Sequence, residues 1–479
     1  ISYPRRRPVP GVAAVPKNPV SSSMLKPAAI ALALTTTLLS AANAATVKPA
    51  DKAAPMTAAT FSGLALRGIG PAMPSGRIAD LAVNPKHPST WYVAAASGGL
   101  WKTTNAGTTW NPIFDDQGSF SLGCVTIDPN NPLVIWVGSG ENNAQRSVAY
   151  GDGVYRSLDG GTTWTNMGLK SSEHISKIVV DPRDSNVVWV AAQGPLWSAG
   201  GERGLYVTRD GGQTWNKAFE TSVHTGVTEV HLDPRNPDVM YASTYQRRRH
   251  VWTVINGGPE SGLRKSTDGG KTWRQIKNGL PTGDIGRIGI AISPADPDTL
   301  YAVMDAAGKD GGLYRSTDAG ENWEKRSDYL PTSGQYYNEL FADPKVVDRF
   351  YAMDTWMNVS DDGGKTMRRV GEQHKHVDNH VLWIDPKNTD HLLAGCDGGV
   401  YHSFDRGATW AWSGNLPLSQ FYKVGLDNAQ PFYNIYGGTQ DNNSVGGPSR
   451  TRTTHGIVNS DWFITLEGDG FQSVIDPTD

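Results

Sequence analysis

Apolar positions in this chain fall in short, β-length clusters separated by turn residues, and the clusters recur in fours. One unit shows the grammar. Ile178–Val179–Val180 ends in Asp181–Pro182, an apolar run follows at 187–191, Gly204–Leu205–Tyr206–Val207 comes third, and Trp215 opens the fourth segment. The first segments carry β-branched residues, which suit extended backbone. They close on an acid or amide followed by proline, as at Asn84–Pro85, Asp128–Pro129, Asp233–Pro234, Asp343–Pro344 and Asp385–Pro386, where proline withholds a ladder donor and turns the chain. Between the third and fourth segments stands an eight-residue phrase, S-x-D-x-G-x-T-W. It occurs seven times, starting at Thr103, Ser157, Thr208, Ser266, Ser316, Ser360 and Ser403, at intervals of 54, 51, 58, 50, 44 and 43 residues.

Within the phrase the Asp carboxylate and the Ser or Thr hydroxyl can accept local backbone N–H groups, and Gly accepts positive φ, so the phrase reads as a hairpin turn. The tryptophan after it is expected to pack beside the next unit, and Trp164, Trp215, Trp273 and Trp410 to be largely buried. Four β segments at this period predict one propeller blade per copy. The expected fold is all-β, a β-propeller of about seven to eight four-stranded blades over residues 61–418. In an up-and-down blade successive turns alternate between faces, so the proline turns and the phrases share one face and the remaining turns share the other. The phrase is similar to the Asp-box, or BNR, repeat, with Asn105 in place of Asp in the first copy and Met367 in place of Trp in the sixth. These carboxylates are expected to staple turns, not to catalyse.

The 54 glycines, 30 prolines and 16 tryptophans among 479 residues suit a turn-rich ring. A net charge of −3 gives no electrostatic case for a nucleic-acid partner. Arg247–Arg248–Arg249 reads as a solvated basic loop. Met24–Leu25–Lys26, an apolar stretch at 28–39 and Ala42–Asn43–Ala44 spell a signal peptide over 24–44, which makes the protein secreted or periplasmic. Residues 1–23 read as upstream sequence and 45–60 as a flexible linker; no later run is long and apolar enough for membrane insertion. Cys124 and Cys396 are expected to be buried free thiols. Residues 419–479 lack a clear Asp box, and 471–477 repeats the opening phase of a blade. That stretch is either an irregular closing blade or the truncated start of a second propeller, with the missing C-terminal region of the same chain as partner.

Long loops on the face opposite the boxes are where binding residues are expected. Glu141, Arg146, Tyr150 and Asp152 gather an acid, a cation and a ring in one loop, and His250 and Trp252 stand in another. His376, Asp378 and His380 alternate before the apolar strand 381–384, so an extended backbone would point all three to one side. Such a triplet can join an inter-blade hydrogen-bond network, contact a ligand directly or hold a divalent ion, but no other metal motif supports the last, and no metal or cofactor is assigned. Glycoside hydrolysis needs two acids facing across the scissile bond. Glu141, Asp397 and Asp441 are the catalytic candidates, with Asp469 and Asp152 as ligand contacts.

The leader, the Asp boxes and the strings GSGENN, GDGVYRS, HVDNHVLWIDP, GCDGGVYHS and GGTQDNNS together resemble the bacterial sortilin-like, BNR-repeat group related to xyloglucanase-type glycosyl hydrolases, over residues 61–479. The resemblance implies a carbohydrate-related role, glycan binding or glycoside hydrolysis. The alternative it implies is a non-catalytic sortilin-like propeller capturing peptides or proteins in its central channel. Xyloglucanases of that group place one catalytic Asp in a first-blade T-D-x-G-G-x-Y-R run; the matching stretch is Ala95 to Lys102, and Ala96 stands in the acid's place. Their second acid belongs to a second propeller, so little xyloglucan turnover is expected through that pair. Any hydrolysis would use other acids. Rim carboxylates about 5–10 Å apart in an open cleft would favour hydrolysis; scattered acids around an aromatic-lined channel would favour capture.

Overall fold

The computed structural model describes residues 56, 58–64, 67–70 and 76–478. Residues 1–66 form one unit, whose described part holds a single 3-10 turn at Ala58–Phe61. The segments read as upstream sequence, signal peptide and most of the linker lie outside the described residues. All described strands belong to the second unit, residues 67–479.

Eight antiparallel sheets follow one another along the chain, each pairing its strands in chain order. Seven have four strands; the fourth sheet adds a fifth, Thr253–Asn256, paired with the extended strand Asn236–His250. Blades 1 to 7 span residues 78–112, 122–168, 175–217, 225–275, 285–327, 340–369 and 379–412. Their first strands pack against one another around the centre. The second strands Trp91–Ala95, Ile135–Ser139 and Leu392–Cys396 are buried at every position, because a neighbouring blade covers each face. Such strands read as unbroken apolar runs instead of alternating ones.

Blade 7 packs directly on blade 1, so the ring holds seven blades. Val381, Leu393, Val400, Leu416 and Leu418 share one core with Ile78, Leu81, Trp91 and Trp101. Asn415 donates to the carbonyls of Gly107 and Thr108 in the first box, both at 2.9 Å. The eighth sheet, Phe421–Leu426, Asn434–Thr439, Ser444–Pro448 and Phe463–Leu466, lies outside this closure. Its core is small, Val445, Ile457 and Trp462, and its last strand is exposed throughout. Cys124 and Cys396, in blades 2 and 7, are free and buried.

Every Asp box joins the third and fourth strands of its blade. In blade 2 the Gly161 N–H donates to Ser157 Oγ at 2.8 Å, the Thr163 N–H to Asp159 Oδ1 at 2.9 Å and the Thr163 hydroxyl to Asp159 Oδ2 at 2.7 Å. These bonds, the Thr163 hydroxyl first, lower the Asp159 carboxyl to about 2. Asn105 rebuilds the same turn, with its Oδ1 accepting the Thr109 N–H at 2.9 Å. The residue after Asp takes a left-handed conformation, as at Gly160 (φ 70°), and three copies hold it with a side chain, at Ala106 (54°), Ala319 (56°) and Arg406 (58°).

The tryptophans depart from the expectation in two ways. They pack on the preceding blade, not the next: Trp164 donates to Ile113 O, Trp215 to Met167 O and Trp410 to Gly371 O, each at 2.7 Å. Trp410 is buried, but Trp164, Trp215 and Trp273 are only half-buried. Trp273 and Trp323 instead turn the indole N–H to a carbonyl of their own box, Gly270 O and Gly320 O, each at 3.1 Å. Trp323 is the other buried copy.

Two outcomes are expected in thermal or denaturant unfolding. Ala319→Gly relieves left-handed strain of roughly 1–2 kcal/mol against a Gly entropy cost of roughly 0.5–1 kcal/mol, for a net gain of about 0.5–1 kcal/mol. Trp323→Ala should cost about 3–5 kcal/mol and Trp273→Ala less, since that ring is only partly buried. Equal losses would place Trp273 in the core.

Candidate functional site at the closure seam

On the face opposite the boxes, Arg77 enters blade 1 and meets the turn of blade 7. Its guanidinium donates from Nε to Asp397 Oδ1 at 2.8 Å, from Nη2 to Asp397 Oδ2 at 3.0 Å and from Nη1 to Glu141 Oε1 at 2.7 Å. Its carbon lies 5.0 Å from the centre of the Tyr336 ring. The Tyr336 hydroxyl donates to Asp397, 3.0 Å from Oδ2, and His380 Nε2 stands 2.8 Å from Asp397 Oδ1. Arg77, Glu141 and Asp397 are all nearly inaccessible to solvent. Burial would raise the Asp397 carboxyl, but Arg77 and His380 hold it far below the usual carboxylate range, so it stays ionised.

Above Asp397 lies the turn 440–443 of the eighth sheet, where Asn442 Nδ2 donates to the Asp397 carbonyl at 3.0 Å. This turn brings Asp441 in. Oxygens of Asp378, Asp397 and Asp441 all lie within 4.8 Å of one another. Asp441 is exposed, and its N–H donates to Asp469 Oδ1 at 2.8 Å. Partial desolvation, then the charges of Asp397, Asp469 and Asp378, push its carboxyl up to about 6. Asp378 accepts the Tyr337 hydroxyl. Burial raises its carboxyl, and the Asp397 charge adds to that. Three acids thus share one mouth, one locked as an anion and two with raised proton affinity.

The triplet His376, Asp378 and His380 does not act as an extended strand. His374 and Asp378 both have φ of 64°, and the strand begins only at Asn379. The three side chains nevertheless reach the same acidic mouth: His380 bonds Asp397, Asp378 accepts the Tyr337 hydroxyl beside Asp397 and Asp441, and His376 bonds the Val377 carbonyl with its Nε2 3.5 Å from the Asp441 carbonyl. The close acidic trio holds neither histidine.

The loop 141–152 splits in two. Its first half lies across the loop-side end of the channel. Gln193 Nε2 donates to Asn142 O at 2.8 Å, Arg247 Nη1 to Asn143 O at 2.8 Å and Arg249 Nε to Ala144 O at 2.5 Å, while the Ala144 N–H donates to Gln335 O at 3.1 Å. Blades 3 and 4 and the link between blades 5 and 6 thus grip one stretch of backbone. Arg247 and Arg249 are accordingly not in a solvated loop; they are buried on the strand Asn236–His250, with Arg248 between them turned the other way. The second half of the loop is open: Arg146 is exposed and Tyr150 is 74% exposed, whereas Asp152 accepts the Tyr155 hydroxyl at 2.6 Å. His250 stacks on Trp252, 5.2 Å between ring centres, at a hairpin tip where Trp252 is 81% exposed.

Below this plug, first-strand side chains fill the channel with charge. Lys177 lies 3.4 Å from Glu229, His231 lies 2.8 Å from Glu229, and Arg287 lies 2.7 Å from Glu339. Lys177 holds Glu229 ionised despite burial, and burial together with the Glu229 charge raises Glu339. Sequence reasoning missed Arg77, Tyr336 and Tyr337 as site residues. The one available signal was a cation directly before the first strand of a blade, Ile78–Val83.

The BNR/Asp-box repeat profile matches residues 206–217, the third box and its strand. A xyloglucanase of Acetivibrio thermocellus is 25% identical over 230 residues, 41% of this chain and 25% of that protein. A probable oligoxyloglucan-reducing end-specific xyloglucanase of Neosartorya fischeri is 28% identical over 229 residues, 47% of this chain and 23% of that protein. The matched region thus spans about a quarter of the length of these curated relatives. Among solved structures, an ancestral GH74 enzyme superposes with a TM-score of 0.58 at 18% identity, over 80% of this chain and 54% of the other. The GH74 xyloglucanase of Xanthomonas campestris gives 0.56 at 18% identity, over 78% and 59%. With seven Asp-box blades closed into a ring and these relatives beside it, the chain is a BNR/Asp-box repeat β-propeller protein related to the xyloglucanases.

Proposed function

We propose that the protein is a glycan-active propeller that holds a carbohydrate chain on its loop-side face and protonates a glycosidic oxygen from Asp441. The observation that carries this reading is the trio Asp378, Asp397 and Asp441, within 4.8 Å, in surroundings that push their proton affinities apart. Asp397 is charged and sealed from solvent, so it acts through its field. Asp441 reaches solvent and keeps a proton up to about pH 6, as a general acid requires. Asp378 is the second carboxylate able to face the reacting carbon. Oxygens within 4.8 Å of one another lie nearer the separation of a double displacement, with carboxyl groups roughly 5–5.5 Å apart, than that of an inverting reaction at roughly 6.5–9.5 Å.

The kinship with xyloglucanases makes decorated β-glucans the first ligands to try, and export through residues 24–44 would suit a polysaccharide partner. Ala96, buried at the end of its strand, leaves the xyloglucanase acid unreplaced at that position, so the proposed chemistry rests on other acids. Peptide capture in the channel has less support, because residues 142–145 are tied across the mouth and charged side chains fill the space below.

Asp441→Asn is expected to lower turnover of xyloglucan oligosaccharides by roughly 10²–10⁴ while leaving their affinity in place; reducing-end release and calorimetry read the two quantities. Undiminished turnover would remove Asp441 from the reaction. A second expectation concerns pH. A general acid acts only while protonated, so wild-type kcat/KM should fall about tenfold per unit above about pH 6, the raised value at Asp441. A profile flat from pH 5 to 9 would contradict the assignment.

A further inference from the structure

Phe471 stands out among the exposed apolar side chains because of what surrounds it. The ring is 66% exposed and is stacked on Tyr422, 4.8 Å between centres and 28° between planes. One face is thus covered and the other is open. Tyr422 borders the acidic mouth: after burial, the charges of Asp469 and Asp441 are what push its hydroxyl up. Phe471 follows Asp469 by two residues, and Asp469 itself accepts the Asp441 N–H.

The backbone beneath the ring is fixed. The Gly470 N–H donates to Thr439 O at 3.1 Å. A Cβ on Gly438 would come within 2.1 Å of the Phe471 nitrogen, so only glycine allows this segment to lie flat on the strand Asn434–Thr439. An exposed aromatic ring normally gains little from being held still. Here its position is set by close backbone contact beside carboxylates that would repel an anionic partner and find no partners in an apolar one.

One ligand chemistry answers both halves. A pyranose with equatorial hydroxyls presents a flat face of C–H groups that packs on an aromatic ring, while its rim presents hydroxyls that carboxylates accept. We propose that Phe471, backed by Tyr422, is a stacking platform for one pyranose ring of the glycan, next to Asp441. The proposal rests on the glycan reading above and deepens it by naming a subsite. A sugar seated there puts its linkage beside the acid that titrates, and because the platform is rigid, little side-chain freedom is lost on binding.

Calorimetry with a xyloglucan oligosaccharide tests it on the protein and two variants. Phe471→Ala is expected to weaken binding about tenfold, the scale of one aromatic contact, with an unchanged melting midpoint since the ring is mostly in water. Phe471→Trp should retain wild-type affinity, because a larger ring keeps the open face. Undiminished affinity in Phe471→Ala overturns the subsite and leaves the glycan reading standing. Loss of affinity in both variants overturns the stacking role, and absence of binding by the wild-type protein overturns both readings.

Discussion

The contact between the first and last blades is the constraint on which the rest depends. The second strands of blades 1 and 7 are buried at every position and can be so only between two neighbours, so an open row of seven blades would leave these two end blades wet. Closure brings Ile78 against Val381, Leu393 and Leu418. The chain between these residues is long, yet loop-closure entropy grows only with the logarithm of length. A compact apolar seam can therefore offset it. No strand is exchanged between the ends: blade 1 is built from one stretch of chain, and packing and the Asn415 bonds do the closing.

The same seam creates the chemistry. Arg77 and Asp397 are 320 residues apart, and only the closed ring makes them partners. The two faces divide the work. On the box face the carboxylates, as at Asp159, are consumed by turn N–H and hydroxyl groups and are held low. On the loop face the acids meet one another, and two of them are raised. Carboxylates of one chain are thus held low or raised according to which end of a blade they occupy.

What was legible in the sequence follows the range of the interactions. The Asp box is complete within eight residues, so its turn, the blade count per copy and the sharing of one face by all boxes could be read directly. The acids Glu141, Asp397 and Asp441 stood out as Gly- or Asn-flanked residues on loops, but their relation to Arg77 depends on ring closure. The departure from extended backbone at 376–380 is local: Asp378, a non-glycine residue, adopts positive φ, which alternation cannot foresee. The direction in which the tryptophans pack is not legible locally, because their partners, as Ile113 for Trp164 and Met167 for Trp215, lie on the preceding blade some fifty residues upstream. Likewise, the run 247–249 looked solvated because the carbonyls that receive it belong to a loop a hundred residues upstream.

Arg77 also explains why plug and acid site behave as one unit. Its planar fork gives two bonds to Asp397 and one to Glu141, the residue that begins the plug, while its face covers Tyr336. A lysine ammonium could not serve both carboxylates in this geometry. Buried charges are tolerated only when fully paired, and removal of one partner from such a set typically costs about 3–5 kcal/mol. Arg77 and His380 therefore keep Asp397 an anion against the pull of burial. Partial desolvation first, and then that fixed charge, lift Asp441, so the carboxyl with raised proton affinity that reaches solvent lies outside the seal.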